Sequence, residues 1–271
     1  MLIRLALALA LLGYVSAWGS HIARFRGATV PRHDRSSVLT SASAGLHFAV
    51  LSAFWIVNGV PPLVGFGPAS ATLALVFSMA FLLSARVSRD WSSGLLALPV
   101  VALLLGAAVW SGLAPTGASG LRGPWLVVHV GAVFTGYAGL LLGSVAAAMY
   151  LLQFRALKRK EFGNVFRAFP SLESLDRMTG IGVAAGLCIL MAGLLVGLGF
   201  EATFGAGLEL SDPAVGFGIL TWAAYAAALV IRWTPGGRGR LAALMTVVAF
   251  TTSGIVFVVL RALTGTDGIF L

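Results

Sequence analysis

Long apolar runs separated by short polar stretches dominate the pattern along this chain. A helix needs roughly 17 to 25 apolar residues to cross a hydrocarbon core about 30 Å thick, and runs of that length recur throughout the sequence. The pattern predicts an all-α fold, a polytopic membrane helix bundle with about eight transmembrane helices. The approximate bounds of the runs are 2–20, 37–57, 69–85, 94–112, 124–153, 178–200, 215–233 and 240–262.

The composition excludes an ordinary soluble domain. Of the 271 residues, 59% are hydrophobic and only 10% are charged, whereas soluble domains carry roughly a quarter charged residues. The 34 glycines fit membrane helices, in which small residues let backbones approach closely. We expect a single integral-membrane domain over residues 1–271, with the lipid bilayer as its main partner.

The positive charge is a topology signal. Fifteen of the 18 Lys and Arg residues lie in the connections after the first, third, fifth and seventh runs. The positive-inside rule places those connections in the cytoplasm, and therefore both termini outside, in the periplasm. The formal charge of +9 is thereby explained by orientation in a membrane, and nothing in the sequence supports binding to nucleic acid.

The first run has an alternative interpretation as a signal peptide. Residues 1–13 resemble its charged and apolar regions, and Val15-Ser16-Ala17 resembles a cleavage site. Cleavage would leave seven spans and put the first Arg-rich connection outside, against the charge pattern of the later connections. We therefore expect the first helix to be retained.

Histidines carry the main chemical signal, because polar groups inside spans are costly without a partner or a use. Of the four histidines, His21 and His33 fall in the first Arg-rich connection, where solvated side chains are expected. His47 lies about 15 Å into the second run and His129 about 8 Å below the outer interface, at about 1.5 Å per residue. Side chains can close the depth difference of about 7 Å onto one flat cofactor, and haem iron accepts axial histidines. The alternative is that each histidine hydrogen-bonds a neighbouring helix.

Other chemistry is sparse. No carboxylate lies in the middle of a run, so an ion-coupled transporter lacks its usual groups. Hydrolytic triads and zinc spacings are also missing, and we predict no enzyme activity.

Gly193 and Gly197 have the GxxxG spacing of a helix-packing face. The basic connection 154–176 is typical of an interfacial amphipathic segment, with a partner-docking site as the alternative.

Several motifs in the second half of the chain carry a family resemblance. They are PWLVVHV at 124–130, GYA at 136–138, LKRK at 157–160, PSLESLDR at 170–177, SDP at 211–213, and the Thr-Trp-x-x-Tyr spacing of Thr221, Trp222 and Tyr225. Together they resemble the integral-membrane cytochrome c assembly family (CcsA/CcmC-like), and most of all its eight-span HemX-like branch. The family-like core would run from about residue 37 to 262.

The resemblance implies haem handling in a bacterial cytoplasmic (inner) membrane. In the family, an outer tryptophan-rich loop flanked by histidines presents haem to apocytochrome c; His129 matches the first flanking histidine, and His47 matches a second-span histidine of the HemX-like branch. We expect a haem-binding protein acting in cytochrome c assembly at the outer face, with b-type haem ligated by His47 and His129. Trp125 would line the pocket or anchor the span at the interface.

The sequence also differs from the haem-presenting members. Residues 201–214 contain no tryptophan, Val230 stands where those members carry a histidine, and residues 261–271 contain no second outer histidine. The alternative function is a non-catalytic membrane scaffold or regulator of a haem-related complex. A small-solute transporter is the third.

Overall fold

The protein is described here by a computed structural model. It describes residues 2–27, 35–63, 65–114, 124–204 and 213–264, with side chains left out at 200–214 and beyond 256. His33, Asp212 and the outer connections around residues 115–123 and 205–212 therefore lie outside the described residues.

The described residues form an all-helical membrane protein, which confirms the predicted fold class. Seven helices are long and apolar enough to span a bilayer, and α9 contributes a shorter apolar segment, Arg240–Val256. Most helices extend beyond the apolar runs, for example to Phe25 in α1 and to Lys158 in α5, because helical backbone continues into the basic connections, whereas α4 ends at Ser111, just before the end of its run. Their bounds are α1 Leu2–Phe25, α2 Arg35–Asn58, α3 Phe66–Ser88, α4 Gly94–Ser111, α5 Pro124–Lys158, α6 Asn164–Ala168, α7 Leu172–Phe204, α8 Pro213–Trp233 and α9 Arg240–Thr264.

The helices group into two compact units. Unit 1 contains α1 to α4 and the whole of α6. It also includes the last turns of α5 and the first turn of α7. Unit 2 contains the greater part of α5 and α7 together with α8 and α9. The expectation of a single domain over the whole chain stays a prediction.

In unit 1, α1 packs against both α2 and α4. The Tyr14 hydroxyl of α1 donates to Ser78 Oγ of α3 at 2.9 Å, and Trp18 Nε1 donates to the Leu95 carbonyl of α4 at 2.9 Å. Tyr14 is fully buried, as are Leu7 of the same helix and Leu98 of α4. The first helix thus forms part of the core of this unit, and its retention stays a prediction.

In unit 2, α5 and α7 run antiparallel and approach each other through glycines. A Cβ at Gly136 would lie 2.7 Å from the Leu190 nitrogen, one at Gly139 2.8 Å from Gly186 Cα, and one at Gly143 2.9 Å from the Val183 nitrogen. These distances leave no space for side chains between the two backbones. We call this contact the glycine seam.

A carboxylate ties together three helix ends of unit 2. Asp176, near the start of α7, accepts two hydrogen bonds from the Arg232 guanidinium of α8, at 2.6 and 2.8 Å. The backbone nitrogen of Gly239, just before α9, donates to the same carboxylate at 3.2 Å. Arg232 is buried, and a bidentate pair of this kind combines charge with a fixed geometry. The ion pair fixes the ends of α7, α8 and α9 on the side predicted to face the cytoplasm.

Candidate functional site

His129 lies on α5 in unit 2, one turn after Trp125 and against α7. Its ring nitrogen Nδ1 is 2.8 Å from the backbone carbonyl oxygen of Gly193. A carbonyl oxygen only accepts hydrogen bonds, so Nδ1 carries the proton and donates. In the neutral ring the other nitrogen, Nε2, then holds a lone pair. The contact thus leaves the Nε2 lone pair available, as a metal-ligating imidazole requires.

The space occupied by the His129 ring depends on a second glycine of α7. A Cβ at Gly197 would lie 2.7 Å from Cε1 and 2.8 Å from Nδ1 of the imidazole. The ring therefore lies directly over the bare Cα of Gly197. Gly193 and Gly197, predicted as a helix-packing face, do pack against α5, and they also contact the candidate ligand.

Trp125 lies in the first turn of α5 with 48% of its surface exposed. Such exposure is typical of a tryptophan that anchors a helix at the membrane interface. A place one turn before His129 is equally compatible with contact to a ligand bound there. The pocket-lining role predicted for Trp125 stays a prediction.

His47 lies on α2 in unit 1, and its side chain is fully buried. The ring meets Tyr14 of α1 edge to face, with centroids 6.1 Å apart. Within the described part of the chain, neither ring nitrogen makes a hydrogen bond of ordinary geometry. A buried polar group without a partner costs roughly 1 to 3 kcal/mol, so this imidazole is suited to a partner that the chain itself does not provide.

His21 contradicts its predicted environment. We expected a solvated side chain in the first connection, but α1 continues to Phe25 and His21 is 4% exposed. Its ring meets Phe81 edge to face and lies against Gly94. The prediction failed because α1 continues beyond the end of the apolar run at residue 20, so His21 still lies on the buried face of the helix. The spacing of the buried residues carried the correct signal, since Leu7, Ala10, Tyr14, Ala17 and His21 repeat every three or four residues on one face.

The two candidate ligands belong to different units, His47 to unit 1 and His129 to unit 2. Among the described residues, no three His, Cys, Asp or Glu side chains cluster closely enough to hold a bare metal ion. Haem needs no such cluster, because its porphyrin fills four iron positions and the protein adds only axial ligands.

The Thr-Trp-x-x-Tyr spacing also has a structural meaning. Thr221 and Tyr225 are one turn apart on α8, and both are buried. The Tyr225 hydroxyl is 2.8 Å from Ser144 Oγ of α5, and either oxygen can be the donor. These hydroxyls join α8 to α5 inside the span. The motif therefore holds the helix that carries His129.

Comparison with known proteins adds the family. The sequence profile of the family described as "Cytochrome C assembly protein" matches residues 45–266. A cytochrome c biogenesis protein CcsA of Prochlorococcus marinus strain MIT 9515 is 31% identical over 166 residues, covering 54% of this chain and 51% of that protein. The CcsA of strain MIT 9312 is 28% identical over 236 residues, covering 76% and 72%.

Other relatives extend the match. An uncharacterized 28.8 kDa protein of Azospirillum brasilense is 25% identical over 236 residues, covering 86% of this chain and 79% of its own length. The chain spans about half the length of the CcsA proteins of strain MIT 9515 and of Guillardia theta, at 51% and 50%. The profile match nevertheless covers most of the helices described above, including those that carry His47 and His129. The chain belongs to the cytochrome c assembly protein family.

Proposed function

We propose that this membrane protein binds haem and handles it in the outer half of the membrane during cytochrome c assembly, with His129 and His47 as iron ligands. The observation that carries the proposal is the hydrogen bond from His129 Nδ1 to the Gly193 carbonyl. Metal-ligating histidines usually donate their other ring nitrogen to a carbonyl or carboxylate in this way. The CcsA relatives are named for cytochrome c biogenesis, which gives the direction of the proposal.

His47 supports the proposal through its unsatisfied nitrogens. A single axial bond to iron would use one lone pair of the ring. Bound haem would supply the redox chemistry, while the protein residues hold and orient it.

We further propose that the chain belongs to the HemX-like branch and lies in a bacterial cytoplasmic membrane. The motifs around His129 and the position of His47 support this assignment, as does the clustering of Lys and Arg on alternate connections.

Spectroscopy of the purified protein tests the proposal. We expect haem after reconstitution, quantified per protein, with His129→Ala and His47→Ala each changing the ligand-sensitive bands. If both ligate one iron, each single variant keeps haem with an altered spectrum and the double variant loses it. If they serve separate haems, each single variant lowers the haem content. His33→Ala, in a connection outside the described residues, is the control for losing a histidine.

A scaffold without cofactor makes the opposite prediction. In that case both histidine variants support cytochrome c assembly as well as wild type does, and the preparation remains colourless after incubation with haem. This result would overturn the proposed function.

A further inference from the structure

His129 lies at one end of the glycine seam, and the seam determines what surrounds it. Beyond the glycine pairs described above, a Cβ at Gly193 would lie 2.9 Å from the Val133 nitrogen of α5. Because the contact is made by backbone atoms, neither helix can shift towards the other by changing a rotamer. The Gly193 carbonyl is therefore held at a fixed place relative to the α5 turn that carries His129.

This carbonyl selects one of two tautomers of the imidazole. With the proton on Nδ1 the ring donates to Gly193 at 2.8 Å. With the proton on Nε2, the lone pair of Nδ1 would face the lone pairs of the carbonyl oxygen, and the contact would be repulsive. The two ring nitrogens point in different directions, so the hydrogen bond occupies Nδ1 and leaves Nε2, which lies 3.5 Å from the position of a Cβ at Gly197, outside the contact with the carbonyl.

Gly197 leaves the space that the His129 ring occupies. Its Cα lies under the ring, and a methyl group there would overlap Cε1 and Nδ1 at 2.7 and 2.8 Å. The ring cannot make its hydrogen bond to Gly193 while avoiding such a methyl group, because both contacts involve the same nitrogen. Rotation of the ring would break the hydrogen bond.

We infer that Gly193 and Gly197 are positioning residues for His129 as an iron ligand, an inference that rests on the proposed function. The Gly193 carbonyl fixes the tautomer that leaves Nε2 free, and Gly197 allows the ring orientation in which this hydrogen bond forms. A hydrogen-bond acceptor behind a ligating histidine also strengthens the donation from its other ring nitrogen to the metal, here from Nε2 to iron. A stronger donor stabilises ferric over ferrous haem and lowers the reduction potential.

The first test uses the protein without haem. In ¹⁵N-histidine-labelled protein, we expect the NMR signals lost in His129→Ala to be those of an Nδ1-protonated imidazole. In Gly197→Ala we expect these signals to shift towards the Nε2-protonated form. Gly199→Ala is the matched control on the same helix, because no described atom lies within 4 Å of a Cβ at that position. The wild-type spectrum alone decides the tautomer, even if the Gly197→Ala variant does not fold.

The second test uses the haem-loaded protein. Loss of a hydrogen-bond partner behind a metal-ligating histidine typically weakens binding about 10- to 100-fold, and we expect that loss in haem affinity for Gly197→Ala. The reduction potential of the remaining haem should rise relative to wild type. Gly199→Ala should match wild type in both measurements.

The outcomes separate the two proposals. An Nε2-protonated His129 in the wild type, or a Gly197→Ala variant with wild-type tautomer and affinity, overturns the positioning role. A wild-type protein with the Nδ1-protonated ring that binds no haem overturns the proposed function instead.

Discussion

Single polar side chains inside the spans divide into those that their own helix satisfies and those that it does not. Thr40 and Ser43 of α2 each donate to the carbonyl four residues earlier, at 2.7 Å. His47 on the same helix has no such bond. An imidazole is too large and rigid for the contact that a hydroxyl makes with its own helix. The sequence predicted the deep position of His47, but its lack of a partner depends on α1 and α3 and was visible only in the structure.

Tyr14 and Ser78 provide a residue-scale prediction. Ser78 Oγ accepts from Tyr14 and donates to the Leu75 carbonyl at 2.8 Å. Tyr14→Phe removes the donor and leaves Ser78 bonded, so we expect the free energy of unfolding to fall by about 1 kcal/mol or less. Ser78→Ala leaves a buried tyrosine hydroxyl without its acceptor and should cost more, roughly 1 to 3 kcal/mol. Unfolding measurements in detergent or bicelles compare the two; equal losses would contradict the expectation.

The helices show where periodicity is informative and where it is not. The length of the apolar runs predicted each long helix, and the GxxxG spacing predicted that Gly193 and Gly197 face another helix. The spacing does not indicate which helix packs against these glycines. The matching glycines of α5, Gly136, Gly139 and Gly143, became meaningful only once the antiparallel register with α7 was known. Register depends on three-dimensional packing, which a one-dimensional pattern does not contain.

The glycine seam gives an element-scale prediction. A Cβ at Gly186 would lie 2.6 Å from the Leu140 nitrogen and 2.8 Å from the Gly136 carbonyl oxygen. Because both neighbours are backbone atoms, Gly186→Ala must push α5 and α7 apart, and we expect a loss of about 1 to 3 kcal/mol in stability. Gly131→Ala, on α5 with no described atom within 4 Å of the added Cβ, should leave stability nearly unchanged. Thermal unfolding of both variants measures the difference in their stability. Identical unfolding curves would show that the glycine seam does not need glycine at position 186.

At the scale of the whole molecule, the charge pattern and the apolar runs were sufficient for the membrane fold but not for its subdivision. The grouping of helices into two units follows from contacts between segments far apart in the sequence, such as α5 with α7 or α1 with α4. No local pattern encodes these contacts. The same limit explains why two histidines at compatible predicted depths belong to different units.

The orientation inferred from charge is a prediction for the whole molecule. In a Cys188→Ser background, the Lys160→Cys variant should react with a membrane-impermeant maleimide only in inverted vesicles. The Ala118→Cys variant, changed in a connection predicted to lie outside, should react only in vesicles of native orientation. The positive-inside rule gives this result because Lys160 lies in the most basic connection. The reverse labelling pattern would contradict the predicted topology.

The ion pair of Asp176 with Arg232 has a consequence for how the protein is made. The two residues are 56 positions apart, so the start of α7 leaves the ribosome well before its partner has been synthesised. Until then the carboxylate must stay hydrated near the bilayer surface, since an unpaired charge is costly in hydrocarbon. The final depth of α7 would therefore be set only after α8 has been inserted, and unit 2 would mature by late adjustment of an already inserted helix.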